Sequence, residues 1–366
     1  MSRLVLVSLG TLNGTVLEAM ARSGVFDEIV VASRNADYGR RKVNTARVGA
    51  AVVGKFPKIE FVPFDLNGAN AGEQLKRMEA DVVVTAPSLL PWWAVDKLTG
   101  EKGEAARTAP FATFVACHVA PMLAFRRAWM LGRIDAAWIN LSYPDGVNAV
   151  LTRTGAGPLC GIGNVEEAVP KARFAVADAL GALPEEVEVR LVAPHALEYF
   201  LYAAETAAEL PPCLVKATWR GRDVSAEARA GLFAPMPILY DMDFNLLTQA
   251  SAVRFLTAFM AKENSLVHVP GPDGRVGGYP MQAGNRRIAL DLPPEWSEAE
   301  AVAMNEKALH WDGIAGITGD GIIQFTDKTA AALRTLLGRS VYQLAPHEAV
   351  SLANELLAAV GAKPSR

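Results

Sequence analysis

Near its start the chain reads Leu4-Val5-Leu6-Val7-Ser8-Leu9-Gly10-Thr11-Leu12-Asn13-Gly14, an apolar run that stops at a glycine-bearing turn. A short, unbroken apolar run before such a turn is typical of a buried strand that enters a loop. Apolar residues then recur at helical spacing from Val16 to Ala21, and Ser23-Gly24 supplies a glycine that ends a helix. The stretch therefore predicts a strand, a turn and a helix in succession.

The same alternation of strand and helix patterns continues along the first half of the chain. Further apolar runs, separated by segments with helical spacing, predict the strands Glu28–Ala32, Ile59–Phe64, Asp81–Thr85 and Ala136–Asn140. A long helical segment from about Phe111 to Leu131 precedes the last of them. Because these runs lack period-2 alternation, we expect strands that are buried on both faces of a parallel sheet. We predict an α/β protein whose Rossmann-type parallel sheet occupies residues 1–155.

The composition of the chain changes after Gly155. Helical spacing from Val165 to Leu180 is followed by turns rich in glycine and proline, among them Gly271-Pro272-Asp273-Gly274 and Gly277-Gly278-Tyr279-Pro280. Such a mixture predicts a second α+β domain over residues 156–366. At 366 residues the chain exceeds the size at which one core grows efficiently, which also favours two domains.

Charge and cysteine content narrow the classes of function. Hydrophobic residues make up 51% of the chain and charged residues 20%, which allows a substantial core. The net charge of −3 provides no overall positive field to hold a polyanion, so we expect no nucleic-acid partner. Cys117, Cys160 and Cys213 show neither a metal-binding spacing nor an even count, which favours a reducing cytoplasm. No apolar run reaches the length of a membrane span, so we expect no membrane partner.

The first turn resembles a degraded phosphate-binding loop. Rossmann loops use glycine because backbone amides must approach a pyrophosphate closely at a helix N-terminus. Aligned on the helix start, Gly14 takes the third glycine of G-x-G-x-x-G, while Leu9 and Thr11 take the first two. We predict that this loop binds a dinucleotide through Gly10, Thr11, Leu12, Asn13 and Gly14; a purely structural turn is the alternative.

The ends of the following strands supply further cofactor candidates. The second strand ends at Ser33-Arg34-Asn35, where an NAD site would usually place an acidic residue, so the sequence favours NADP with NAD as second choice. Arg40-Arg41-Lys42 could add to this phosphate site or form a solvated helix face. Asp65 and Thr85-Ala86-Pro87 lie at the ends of the next strands and are predicted to contact the adenine and ribose of the dinucleotide.

From Leu4 to about Leu201 the series of segments resembles the lactate/malate dehydrogenase superfamily, which also contains the NAD-dependent family 4 glycoside hydrolases. The resemblance is carried, besides the first turn, by Ala80–Ala86, Asn140-Leu141-Ser142-Tyr143-Pro144, Ala168–Arg173, Leu180–Pro184 and Val192-Ala193-Pro194-His195. A histidine at the last place is the acid/base of the dehydrogenases. The resemblance therefore implies this role for His195.

The sequence also departs from that pattern. Tyr143 stands in place of the family's asparagine before proline, and Pro170 in place of the acidic residue that orients the histidine. These differences argue against a classical 2-hydroxy acid substrate. Gly163 stands where the glycosidases carry a metal-binding cysteine, and Cys160 lies three residues away. We therefore expect no metal.

The remaining candidates lie after strands or in polar loops. Tyr143 and Asp145 follow a central strand and are predicted catalytic residues beside His195, although Asp145-Gly146 is also an ordinary turn dipeptide. Asn140, His118 and Arg286 are predicted to bind substrate, with a satisfied core role as the alternative for His118. The scattered acids Asp241, Asp243, Asp312 and Asp320 are interpreted as turns and caps.

The sequence thus predicts an NAD(P)-dependent oxidoreductase that transfers a hydride to or from a small polar hydroxy, keto or imino compound. His195 would exchange the proton, since an imidazole titrates near neutrality. The alternatives are a glycosidase that uses NAD transiently and a dinucleotide-binding sensor without catalysis. We expect a cytoplasmic homo-oligomer, since such enzymes are commonly dimeric.

Overall fold

The first half of the chain forms six parallel strands. The computed structural model describes residues 1–202, 209–239 and 241–363. The strands are β1 Arg3–Val7, β2 Glu28–Ser33, β3 Lys58–Pro63, β4 Val82–Thr85, β5 Ala137–Asn140 and β6 Cys160–Gly161. Their order is β3-β2-β1-β4-β5-β6, with every pair parallel. The order reverses between β1 and β4, and open α/β sheets bind ligands at the carboxyl ends of strands at such a point.

Helices cover both faces of this sheet. They are α1 Thr11–Ser23, α2 Ala36–Val52, α3 Ala71–Arg77, α4 Trp92–Val95, α5 Gly100–Arg107, α6 Ala116–Gly132 and α7 Pro144–Arg153. In β1, Leu4 and Leu6 pack into the core that contains α1, whereas Val5 and Val7 pack into the core that contains α6. Residues of both faces are buried because a strand alternates its side chains between two covered faces.

In its described part, the second half combines helices with three small antiparallel sheets. Its strands are β7 Val187–Val192, β8 Leu214–Trp219, β9 Arg222–Asp223, β10 Ser265–Pro270, β11 Gly278–Gly284, β12 Arg287–Leu290, β13 Ile314–Ile317, β14 Ile323–Phe325 and β15 Gln343–Leu344. Its helices are α8 Asn164–Leu180, α9 Glu198–Leu201, α10 Ser225–Leu232, α11 Asn245–Met260, α12 Glu298–Ala308, α13 Asp327–Leu337 and α14 Ala349–Ala359. This mixture confirms the predicted fold class.

The two halves are closely joined. Strand β6 lies beyond residue 155 and completes the first sheet, while α11 packs on α1 and α14 packs on α6. Elements from the second half therefore share the cores of the first. The domain boundary predicted at residue 155 stays a prediction. The helix predicted from Phe111 to Leu131 is divided into a 3₁₀ turn, Phe111–Phe114, and α6. Within the described ranges, no helix is long and apolar enough to cross a membrane.

Candidate functional site

A cleft of about 750 Å³ lies over the carboxyl ends of β1, β2, β3 and β4. Of the residues predicted to bind a dinucleotide, those that line it are Gly10, Thr11, Leu12, Asn13, Ser33, Arg34, Asn35, Asp65, Ala86 and Pro87. Gly14 instead lies within the first turn of α1. Thr85 is buried, where its hydroxyl accepts a hydrogen bond from Trp138 Nε1 at 3.0 Å. The structure therefore brings most of the predicted cofactor residues to one cleft.

The loop between β1 and α1 matches the spacing of the G-x-G-x-x-G pattern at Ser8, Gly10 and Asn13, a register one residue earlier than predicted. Ser8 has a φ of 73°, which gives the tight turn usually made by the first glycine. Gly10 caps α1, and a Cβ there would have no atom within 4 Å, so its backbone is open to the cleft. Asn13 takes the third position, and its amide donates to the carbonyls of Val7 and Ser8, both at 2.9 Å.

The tip of β2 presents Arg34 to the same cleft, whereas the basic residues that follow lie elsewhere. Arg41 pairs with Asp37 at 3.1 Å, and Lys42 pairs with Glu18 at 3.1 Å. Arg41 and Lys42 thus engage carboxylates of α2 and α1 and do not line the cleft. Arg34 is the described basic residue that lines the cleft at this strand end.

His195 lies beside this first cleft and is held by a carboxylate. It begins a 3₁₀ turn, His195–Leu197, directly after β7 and Pro194. Its Nδ1 lies 2.9 Å from Asp312 Oδ1, while Asp312 Oδ2 accepts a hydrogen bond from the Tyr143 hydroxyl at 3.1 Å. Asp312 is buried at the end of the 3₁₀ turn Leu309–Asp312, as its interpretation as a turn residue expects, but its carboxylate also contacts His195 and Tyr143, which the sequence did not predict. It lies against the imidazole as an orienting acid would, whereas Pro170 has no carboxylate.

The His195 side chain is cationic at neutral pH in this environment. Burial alone would lower its pKa, but the charge and hydrogen bond of Asp312, together with the charges of Asp145 and Glu198, raise the pKa to about 10. Since Nδ1 is engaged by Asp312, Nε2 is the nitrogen through which the imidazolium can give a proton. The arrangement is suited to a general acid that protonates an oxygen in the cleft.

Tyr143 and Asp145 are both buried close to His195. Tyr143 has a φ of 45°, a conformation that is uncommon for a non-glycine residue, and its ring lies 4.9 Å from the imidazole. Asp145 lies in the first turn of α7, where Asn164 Nδ2 donates to it at 3.2 Å. Burial raises the pKa of Asp145 to about 6, despite the opposing charge of His195. A Cβ at Gly146 would lie 2.6 Å from the Tyr143 ring, so this glycine serves packing rather than a turn.

His118 lines both the first cleft and a second cleft that surrounds His195. The Ser142 hydroxyl donates to the carbonyl of Pro87 at 2.7 Å, so it must accept from His118 Nδ1 at 3.0 Å. Burial, followed by the charge of His195, lowers the pKa of His118 to about 4. His118 is therefore neutral, with Nε2 as an acceptor.

Two residues predicted to bind substrate occupy other positions. Asn140 is fully buried, and its amide donates to Ser142 O at 3.1 Å and to Asn148 Oδ1 at 2.8 Å, so it holds the loop after β5. Arg286 donates to Asp81 Oδ1 at 2.7 Å. Because Asp81 precedes β4, Arg286 lies at the amino ends of the strands, whereas the clefts lie at their carboxyl ends.

A second cleft of about 640 Å³ surrounds His195 and adjoins the first. Leu12, His118 and Leu141 line both clefts, so a ligand in one would meet a ligand in the other. Cys160 is part of β6, is buried in the core and lines neither cleft. Across residues 1–202, 209–239 and 241–363, no three His, Cys, Asp or Glu side chains are grouped so as to hold a metal ion.

The strand order of the parallel sheet and the loop after β1 define a Rossmann-type α/β protein. It has two adjoining clefts, and the His195–Asp312 pair lies in the second. No protein-family model and no curated protein matches the sequence. Among solved structures, the chain is similar to a lactate dehydrogenase of Cryptosporidium parvum, determined with lactic acid and nicotinamide adenine dinucleotide. The TM-score is 0.55 at 13% identity over 85% of this chain and 95% of that one.

Two further solved structures show the same fold. A malate dehydrogenase of Plasmodium falciparum with NADH has a TM-score of 0.53 and 12% identity, and covers 92% of this chain and 99% of its own. A lactate dehydrogenase of Eimeria maxima with NADH and oxamate has a TM-score of 0.55 and 14% identity, over 84% and 92%. The predicted resemblance to this superfamily is confirmed at the level of the fold.

Proposed function

We propose that the protein is an NAD(P)-dependent oxidoreductase that transfers a hydride between a nicotinamide dinucleotide and the carbonyl or hydroxyl carbon of a small molecule. The observation that carries this proposal is the junction of the two clefts. The loop of Ser8, Gly10 and Asn13 opens into one, and the His195–Asp312 pair lies in the other. The dinucleotides present in all three of these similar dehydrogenases support the same assignment.

The residues of the first cleft fit a dinucleotide. The open backbone at Gly10 and the N-terminus of the 13-residue helix α1 would receive the pyrophosphate, because amide groups and the helix dipole favour an anion there. When bound, the dinucleotide would supply or accept the hydride. His195 would give its proton to the carbonyl oxygen during reduction and take it back during oxidation, while Asp312 holds the imidazole and Tyr143 holds Asp312.

Replacing Gly10 by valine tests the dinucleotide site. The backbone at Gly10 is extended, with φ −93° and ψ −165°, so valine can adopt it, but its side chain would fill the space next to the pyrophosphate. We expect NADH and NADPH to bind at least about tenfold more weakly, as measured by calorimetric titration. The matched control is Gly319→Val, since a Cβ at Gly319 also has no atom within 4 Å. Equal affinities in the wild type, the variant and the control would contradict the assignment.

We propose NADP as the preferred dinucleotide because Arg34 lies at the tip of β2, where a 2′-phosphate would fall. Arg34→Ala is expected to weaken NADPH binding by roughly tenfold while changing NADH binding little, since only NADPH carries the phosphate. Arg40→Ala, on the exposed surface of α2, serves as the control. Equal losses for the two dinucleotides would instead indicate that Arg34 does not distinguish them, and NAD would become the preferred assignment.

A further inference from the structure

Five described residues line both clefts and so mark the place where the clefts join. They come from five parts of the fold: Leu12 in α1, Trp92 in α4, His118 in α6, Leu141 directly after β5 and Asn245 at the start of α11. The leucines and the tryptophan present mostly apolar surface, whereas the histidine and the asparagine carry hydrogen-bonding groups. A ligand that spans the two clefts must pass between these side chains. The junction formed by these five residues therefore selects which part of such a ligand lies there.

A chain of hydrogen bonds fixes the position of the proton on His118. The carbonyl of Pro87 can only accept, so the Ser142 hydroxyl, at 2.7 Å, gives it its single proton. The Ser142 oxygen is then the acceptor for His118 Nδ1 at 3.0 Å. Since the proton of the neutral ring is held on Nδ1, Nε2 presents a lone pair. Burial, followed by the charge of His195, lowers the pKa of His118 to about 4, which agrees with a neutral ring.

The lone pair of His118 Nε2 has no donor among the residues that the structure describes, although the atom is not sealed from contact. Neighbouring donors are used elsewhere. The Tyr143 hydroxyl donates to Asp312 at 3.1 Å, and Asn245 Nδ2 donates to the carbonyl of Met242 at 2.8 Å. The His118 side chain lies in a residue that is only 8% exposed. A buried acceptor that loses water when a ligand closes over it needs a donor from that ligand.

The imidazole of His118 is also held in one orientation. The rings of Phe111 and Tyr143 lie with their centroids 5.8 and 6.2 Å from it. Ser142, which accepts its Nδ1 proton, is itself fixed, because the Ser142 backbone amide donates to Asn140 Oδ1 at 2.7 Å. A side chain that is already ordered loses little conformational entropy when it binds a ligand. His118 Nε2 is therefore a fixed acceptor at the junction.

The order of the strands indicates which part of a dinucleotide would reach the junction. Along β3-β2-β1-β4-β5, Asp65 and Arg34 line the first cleft on one side of Gly10, and Leu141 lines it on the other side. In the function proposed above, Arg34 receives the adenosine end and Gly10 the pyrophosphate. The remaining part, the nicotinamide with its ribose, therefore falls on the side of Leu141, next to the second cleft and His195.

We propose that the junction is the nicotinamide site and that His118 Nε2 accepts a hydrogen bond from the carboxamide amino group of the ring. This inference rests on the function proposed above. The faces of the ring suit the leucine and tryptophan side chains of the junction, whereas the hydroxyls of a ribose would need more polar partners. The amino group carries the N–H donors of the nicotinamide, so it is the group that can satisfy Nε2. His118 would thereby fix which face of the ring is turned toward His195.

Dinucleotides that are altered at the carboxamide test the inference on the full-length protein. The acetylpyridine analogue of NADP carries a methyl group in place of the amino group. The thionicotinamide analogue keeps the amino group but has sulfur in place of the carboxamide oxygen. Calorimetric titration with the three oxidised dinucleotides, without substrate, gives affinities that do not depend on turnover. We expect NADP and the thionicotinamide analogue to bind roughly tenfold more tightly than the acetylpyridine analogue, which leaves a buried acceptor without a donor.

His118→Phe keeps a ring in this position and removes the acceptor, so the preference for NADP over the acetylpyridine analogue should fall to near unity. His347→Phe, the same change at an exposed histidine, should keep the preference. If its melting temperature shows that His118→Phe does not fold, Ser142→Ala carries the test. Without the Ser142 oxygen the proton of His118 can also occupy Nε2, and the preference should fall at least about twofold.

The ratio of the two affinities separates a contact with the carboxamide from support of the fold. A residue that only supports the fold would weaken the binding of both dinucleotides equally and leave their ratio unchanged. Equal binding of NADP and the acetylpyridine analogue to the wild type, or a preference that survives in both variants, would overturn the role of His118. Normal NADP binding beside such a result would leave the proposed function standing, whereas failure of all three dinucleotides to bind would overturn both.

Discussion

His195→Asn is expected to lose roughly 10²–10⁴-fold in turnover while it remains folded and binds dinucleotide normally. Asparagine keeps a hydrogen-bonding side chain that can face Asp312 but cannot carry the proton. In the wild type, His195 Nδ1 is held at 2.9 Å from Asp312, and the raised pKa keeps the ring protonated for donation to substrate. The loss should therefore fall on the chemical step rather than on binding.

Three measurements on one preparation distinguish this role from a structural one. Melting temperature, dinucleotide affinity and turnover should be compared with those of His347→Asn, which changes an exposed histidine in the turn before α14. If His195 only stabilises the junction between β7 and α9, its variant would melt earlier but turn over substrate at nearly the wild-type rate. That result would move the acid/base role to Tyr143 or His118.

The fold was predictable because its signals are local. Each strand of the first sheet is an apolar run followed by a turn. A strand buried on both faces is apolar along its whole length, so it can be recognised without knowing which strands lie beside it. The predicted and observed bounds of β2, for example, differ by one residue. The exact register of the first loop was harder, since it depends on the positive φ of Ser8, and a serine gives no signal of that conformation in the sequence.

The site was predictable only in part. His195 could be proposed because it follows a strand in a segment that resembles the dehydrogenases. Asp312 could not, since it lies 117 residues further along the chain and ends a short 3₁₀ turn, as Glu186 and Glu348 also do. Only the packing of that turn against His195 gives the carboxylate its role. A search for an acid preceding a glycine, as in Asp312-Gly313, would have returned several equivalent candidates.

Two residues that were predicted to bind substrate show the same limit of prediction from sequence. Arg286 was predicted to meet substrate because it lies in the most polar loop of the second half. The hairpin between β11 and β12 instead carries it to Asp81 at the amino end of β4. Asn140 lies at the correct strand end, but its amide is used within the loop. Sequence position identifies a strand end, whereas tertiary packing decides which side chains there stay available.

The second large effect is expected for Asp312→Asn, and it should depend on pH. Replacing the carboxylate by an amide removes its negative charge and leaves a weaker acceptor for His195 Nδ1, so the pKa of His195 should fall from about 10. Reduction needs the imidazolium, so the wild type should keep this activity as the pH rises toward 10, whereas the variant should lose it at lower pH. Above the midpoint of the variant, the rate should fall roughly tenfold per pH unit, giving a loss of about 10²-fold or more at pH 9.

The pH dependence of stability gives an independent readout for the same variant. Because the folded pKa of His195 is raised above its ordinary value of 6.5, the charge pair stabilises the wild type fully below pH 6.5 and is lost as the pH rises through about 10. The melting temperature of the wild type should therefore decline across this window, and that of Asp312→Asn should decline less. Asp320→Asn, an exposed acid in the turn after β13, should behave as the wild type in both measurements. An unchanged activity midpoint in Asp312→Asn would mean that Asp312 does not set the protonation of His195, and the charges of Asp145 and Glu198 would then have to account for it.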